Sequence, residues 1–132
     1  VFEVRKGAVV LVVEDNDINA QFVIDLLKHY GLKCLRAKNG QQALQIVQKR
    51  AFDIILMDCQ MPVLDGFAAT RAIRRLSGPV NDTPIIALTA NAYKEDIAAC
   101  HEAGMNAHVS KPINRLTLFA AMGKFIGQPR QP

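Results

Sequence analysis

Three short apolar runs, each closed at its carboxyl end by a polar residue, constrain this chain most. Ala8-Val9-Val10-Leu11-Val12-Val13 stops at Glu14-Asp15, Ile54-Ile55-Leu56-Met57 at Asp58, and Ile85-Ile86-Ala87-Leu88 at Thr89. A fourth, more mixed run, Ala107-His108-Val109-Ser110, ends just before Lys111-Pro112. Unbroken β-branched runs of this length read as strands buried on both faces, which parallel sheets require. Leu32 to Ala37 completes the set as a fifth short strand.

Helical patterns fill the gaps between the runs. Ile18, Phe22, Val23, Leu26, Leu27 and Tyr30 recur at mostly three- and four-residue steps, with Asn16 or Asp17 as the cap and Gly31 as the stop. Asn39 opens a helix carrying Ala43, Leu44 and Val47. Further helices are expected over Phe67–Leu76, from about Tyr93 to Ala103, and around Leu118, Phe119, Met122, Phe125 and Ile126. Pro62, Asp65 and Gly66 mark a loop before the third helix, with Asp65-Gly66 read as turn chemistry. Ser77–Thr83 reads as a loop. Strict alternation with short connections predicts a parallel α/β sheet, right-handed crossovers and helices on both faces.

At 132 residues, half of them hydrophobic, the chain has the size of one domain and is too apolar to be disordered. No apolar run reaches the roughly 20 residues that span a bilayer, so no membrane contact by this domain is expected. The net charge of +4 comes from scattered basic residues, without a basic stripe interleaved with aromatics, which argues against direct nucleic-acid binding. Cys34, Cys59 and Cys100 are odd in number and lack zinc spacing. They read as small buried hydrophobes in a reducing, cytoplasmic compartment. The first residue is not Met, and the chain reads as a piece of a longer protein, with residues 1–7 a linker stump, 8–126 the domain and 127–132 a tail.

A doubly wound sheet places its ligand beyond the carboxyl ends of its strands. The polar residues there are Glu14, Asp15, Asp58, Thr89 and Lys111. Clustered carboxylates repel, and a hard divalent cation relieves them; an all-oxygen set suits Mg²⁺ or Mn²⁺ over zinc. Lys111 and Thr89 add a point charge and a hydroxyl suited to phosphoryl oxygens. In such a site Asp58 is the candidate nucleophile, forming an acyl phosphate.

Four blocks carry a family likeness: Val12-Val13-Glu14-Asp15-Asn16-Asp17-Ile18-Asn19, Met57-Asp58-Cys59-Gln60-Met61-Pro62-Val63-Leu64-Asp65-Gly66, Ile86-Ala87-Leu88-Thr89-Ala90 and Ser110-Lys111-Pro112. Together they resemble receiver domains of two-component response regulators, over about Ala8 to Ile126. The Glu-Asp-Asn version with Asn19, and Thr89-Ala90-Asn91-Ala92, are most similar to receivers attached to hybrid sensor histidine kinases. The resemblance implies a flavodoxin-like (βα)5 fold with strand order 2-1-3-4-5. It implies Asp58 as acceptor of a phosphoryl group from a phosphohistidine on a histidine kinase or histidine-phosphotransfer partner. Glu14, Asp15, Asp58 and the Gln60 carbonyl would hold Mg²⁺, with Lys111 pairing with the phosphoryl group before a cis Pro112 peptide. Thr89 would relay the event to the face of the fourth helix and fifth strand, and Gln60 and Asn91 would tune the acyl-phosphate lifetime. His108 stands where the family often carries a switching aromatic, so a Tyr-like swing is not expected. The domain itself would be a self-phosphorylating switch rather than a turnover enzyme, within a histidine-kinase parent that a membrane anchor would suit.

Two other functions fit parts of the pattern. Asp15-x-Asp17 after a buried strand matches the nucleophile pair of a haloacid-dehalogenase-like Mg²⁺ phosphohydrolase, but Ile18-Asn19 replaces the Thr or Val expected two residues beyond. A flavodoxin-type cofactor binder would need a Ser/Thr/Gly-rich first loop, which is absent, and a Trp to stack the flavin, of which there is none. A stand-alone or DNA-binding response regulator remains the alternative parent.

Overall fold

Strand β1 (Val9–Val13) buries four of its five residues, and this follows from its place in the middle of the sheet. The computed structural model describes residues 3–4, 7–61, 63–90 and 94–128. After β1 come α1 (Asp17–His29), β2 (Lys33–Ala37), α2 (Gly40–Val47), β3 (Ile54–Asp58), α3 (Gly66–Arg74), β4 (Ile85–Thr89), α4 (Lys94–Ala103), β5 (Ala107–Ser110) and α5 (Arg115–Ile126). All five strands are parallel in the order 2-1-3-4-5, so the chain reverses its winding direction between β1 and β3. That reversal opens a crevice at the carboxyl edge.

Alternation along the strands divides the core into two layers. Leu11, Val13, Ile55, Met57, Ile85 and Ala87 pack with Ala43, Val47, Ala69, Ile73 and Cys100 on one face. Val10, Val12, Ile54, Leu56, Ile86 and Leu88 pack with Val23, Leu27, Leu118 and Met122 on the other. β3 and β4 are buried along their whole length, which explains why their sequences never alternate.

The helices begin where the strands end, and polar side chains start four of them. Asn16 Oδ1 accepts from the Asn19 amide at 2.9 Å, Asn39 Oδ1 from Gln42 at 2.9 Å, Asp65 Oδ1 from Ala68 at 2.8 Å and Asn114 Oδ1 from Thr117 at 3.0 Å.

Four expectations change. On α1 the buried stripe is Ala20, Val23 and Leu27, while Ile18 is 80% and Phe22 53% exposed and Tyr30 also reaches solvent. A three-to-four periodicity admits either flank of a helix, and the sheet accepts only one. Gly66 is not a turn glycine: Asp65 caps α3, and Gly66 begins the helix against the backbone of Asp58. The expected loop at Ser77–Thr83 contains a 3₁₀ turn, Pro79–Asp82. Finally, Glu3–Val4 pairs antiparallel with Gly127–Gln128, segments expected to be linker and tail. The expected start of the fourth helix at Tyr93, the loop residue Pro62 and positions 129–132 lie outside the described residues.

Candidate functional site

Register brings the strand ends level. Val13 lies beside both Ala37 and Met57, Asp58 beside Leu88, and Thr89 beside Ser110. The polar residues at or just past these strand ends therefore enter the same crevice. Glu14 continues the β1 ladder, its amide donating to the Ala37 carbonyl at 3.1 Å, and is only 2% exposed. Asp15 is exposed at the rim. Asp58, 3% exposed, ends β3. One carboxylate oxygen from each of these three residues lies within 4.8 Å of the others.

Lys111 reaches the carboxylates from the opposite side. Its Nζ lies 3.2 Å from Asp58 Oδ2 and donates to Glu14 Oε2 at 3.4 Å. Its own amide donates to the Thr89 carbonyl at 2.7 Å, which places it just past the end of β4. The peptide joining Lys111 to Pro112 is cis. Asp58 Oδ1 meanwhile accepts from the Gln60 amide at 3.1 Å, so the two oxygens of this carboxylate have different partners.

One ammonium does not balance this much buried negative charge. Burial, followed by the hydrogen bond and negative charge of Asp58, pushes Glu14 up to about 7, although Lys111 and the Asn16 amide pull it down. Burial also pulls Lys111 down, but the charges of Asp58 and Glu14 more than offset it and hold the ammonium above its usual value. A cluster of carboxylates with one of them reluctant to ionise is the environment a hard cation stabilises, and every side-chain donor is oxygen.

The remaining sequence candidates are placed as follows. Thr89 is 5% exposed at the end of β4. His108 is half-buried on β5, in register with Ala87. Asn91 lies outside the described residues. Cys59 and Cys100 are buried with their sulfurs 4.0 Å apart, and burial raises both thiols, as expected of packing residues.

Gly66, singled out in the sequence as a structural residue, and Arg36, which the sequence reading missed, both bear on the site. Gly66 leaves no room for a side chain, since a Cβ there would overlap the Asp58 carbonyl oxygen. Arg36, on the edge strand β2, donates to the carbonyl oxygens of Glu14 and Asp15 and to the Asp17 carboxylate. The available signal was an arginine next to the last residue of the short strand Lys33–Ala37.

Comparison with known proteins agrees with this geometry. The family model of the response regulator receiver domain matches residues 10–123. Hybrid signal transduction histidine kinase B of Dictyostelium discoideum is 42% identical over 125 residues, covering 87% of this chain and 6% of that protein. The receiver domain of sensor histidine kinase PA1611 from Pseudomonas aeruginosa PAO1, solved with a magnesium ion coordinated in its active site cleft, is 40% identical with a TM-score of 0.84, over 91% of this chain and 98% of that one. The receiver domain of Ssk1 from Saccharomyces cerevisiae, crystallised with the histidine phosphotransfer protein Ypd1, gives 31% identity and a TM-score of 0.84, over 96% and 91% of the two chains. The chain spans only 6% to 14% of the length of curated relatives it matches. A level row of strand ends, a buried aspartate held by a lysine, and a matching family model over most of its length all lead to one conclusion: this chain belongs to the response regulator receiver domain family.

Proposed function

We propose that Asp58 is the phosphoacceptor of this receiver and takes a phosphoryl group from a phosphohistidine. The observation that carries this reading is the divided partnership of the Asp58 carboxylate, with Oδ1 on the Gln60 amide and Oδ2 beside the Lys111 ammonium. An Asp58 oxygen forms the new O–P bond as the N–P bond of the donor breaks. The departing imidazole nitrogen keeps that electron pair and is reprotonated from solvent. Lys111 then follows the negative charge onto the phosphoryl oxygens. Thr89, buried at the next strand end, offers its hydroxyl to the same oxygens and links them to the α4–β5 face.

Glu14, Asp15, Asp58 and the Gln60 carbonyl would hold Mg²⁺, which when bound neutralises the carboxylates and the incoming phosphoryl oxygens. Gln60, beside Asp58, and Asn91 are assigned to tuning the acyl-phosphate lifetime. The haloacid-dehalogenase alternative needs Asp15 as nucleophile, but the ammonium is directed at Asp58 and Glu14 while Asp15 stands at the exposed rim. The likeness to hybrid kinase receivers supports a parent of that type and a histidine-phosphotransfer domain or histidine kinase as partner.

Incubation with acetyl phosphate and Mg²⁺, followed by intact mass measurement, tests the assignment. Wild type gains one phosphoryl mass and Asp58→Asn none. An equal gain in Asp58→Asn, or a gain lost on Asp15→Asn while turnover of a phosphate ester appears in wild type, would sink it.

A further inference from the structure

We propose that Arg36 is a positioning residue for metal binding, holding the β1–α1 turn so that Glu14 and Asp15 face Asp58. The inference rests on reading the acidic cluster as a divalent-cation site. Its basis is a set of contacts that begins outside that cluster. Arg36 lies on β2 in register with Val12, two residues before the acidic turn, and its side chain is 20% exposed. Nε and Nη2 donate to the Glu14 carbonyl at 3.2 and 2.9 Å, and Nη2 also donates to the Asp15 carbonyl at 3.2 Å. Nη1 donates to Asp17 Oδ1 at 2.7 Å, at the first residue of α1.

A planar guanidinium presents its donors in a fixed fork. Here the fork binds two successive carbonyls and the start of the following helix at once. Successive carbonyls fix the peptide planes between them, and the planes fix the direction in which Glu14 and Asp15 leave the backbone. Without that grip, three mutually repelling carboxylates would relax by turning Asp15, the exposed member, toward solvent. Groups that orient metal ligands from behind commonly change affinity about 10-fold or more when removed.

Charge and positioning predict opposite outcomes. As a bare positive charge, Arg36 would weaken the binding of a dication, so its removal would tighten the site. As a clasp on the turn, its removal loosens the site. Isothermal titration of Mg²⁺ into the unphosphorylated protein separates the two. Arg36→Met is expected to raise the Mg²⁺ Kd about 10-fold. Arg36→Lys keeps the charge but lacks the fork, and is expected to fall between wild type and Arg36→Met. At saturating Mg²⁺ the rate of phosphorylation by acetyl phosphate should return to that of wild type, because Asp58 and Lys111 are untouched. Thermal unfolding in EDTA reports any separate loss of stability.

An Arg36→Met protein that binds Mg²⁺ as tightly as wild type or tighter overturns the proposal, whatever its thermal stability. If Arg36→Met does not fold, Arg36→Lys decides, and wild-type affinity there overturns it. Should wild type itself bind no Mg²⁺, the reading of the cation site fails and takes this inference with it. When wild type binds and the variants bind equally well, only the role of Arg36 falls.

Discussion

Lys111 Nζ stands 3.2 Å from Asp58 Oδ2 and is the cation that faces this buried carboxylate across the crevice. The two residues come from β3 and from the turn after β5, so their meeting depends on β4 lying between those strands. Glu14 shares the same ammonium at 3.4 Å.

Removing that ammonium exposes the repulsion it holds in check. Lys111→Met is expected to lower unfolding stability in EDTA at pH 8 by about 2 kcal/mol, less than for a fully buried pair because the lysine side chain is 27% exposed. At pH 5 the loss should shrink as Glu14 takes up a proton, and added Mg²⁺ should restore part of it at pH 8. Urea titrations under the three conditions check this, and an unchanged midpoint at pH 8 would count against it.

Glu14 gives the metal-free protein a pH dependence of definite sign. Its carboxyl rises from 4.5 to about 7 on folding, so the folded state holds this proton more tightly than the unfolded chain does. The associated stability is present below 4.5, is lost as pH rises from there to about 7, and is level above that. The loss is on the order of 3 kcal/mol. Thermal scans in EDTA from pH 5 to pH 8 should show a falling midpoint in wild type and a flatter one in Glu14→Gln.

Gly66 is expected to resist every substitution. A Cβ there would overlap the Asp58 carbonyl oxygen and lie 3.0 Å from the Cys59 Cα, and neither is the yielding end of a side chain. Gly66→Ala should cost about 2 kcal/mol by overpacking and, by displacing the backbone of Asp58, slow phosphorylation by acetyl phosphate. Asp65→Ala, which removes only the cap of α3, should cost about 1 kcal/mol and leave the phosphorylation rate near that of wild type. Parallel denaturation and mass kinetics on both variants make the comparison.

Val63 carries strain in the same loop. A β-branched residue at φ 71 pays the left-handed penalty, and this side chain is 83% exposed, so packing does not repay it. Val63→Asn, a residue at ease in that region, should stabilise the protein by about 1 kcal/mol. A lower melting temperature in the variant would contradict this.

Much of this molecule is legible without coordinates. The unbroken runs at Val9–Val13, Ile54–Met57 and Ile85–Leu88 announce buried parallel strands, and the polar residue after each announces the site. Asn16 and Asn39 announce helix starts, because a short polar side chain satisfies amides within its own turn, whereas Asp65 reads as loop chemistry until the structure shows it capping α3. These are local signals, read over a few residues of chain. What stays hidden is whatever depends on a neighbour far along the sequence. Ile18 and Phe22 belong to the helical period of α1 but not to its buried face, and that distinction is made by the sheet. Gly66 looks like turn chemistry until the Asp58 backbone is set against it.

By itself, then, the sequence determined the alternation of strands and helices, the caps of the first two helices, and the five polar residues at the strand ends. Tertiary structure decided that Glu14 is buried and proton-hungry, that Lys111 serves two carboxylates at once, and that Arg36 grips the turn from the neighbouring strand. The physical reason is range. Periodicity and capping act through bonds between nearby residues, whereas Coulomb forces, desolvation and close packing act through space, and only folding brings Lys111 to Glu14 across 97 positions of chain.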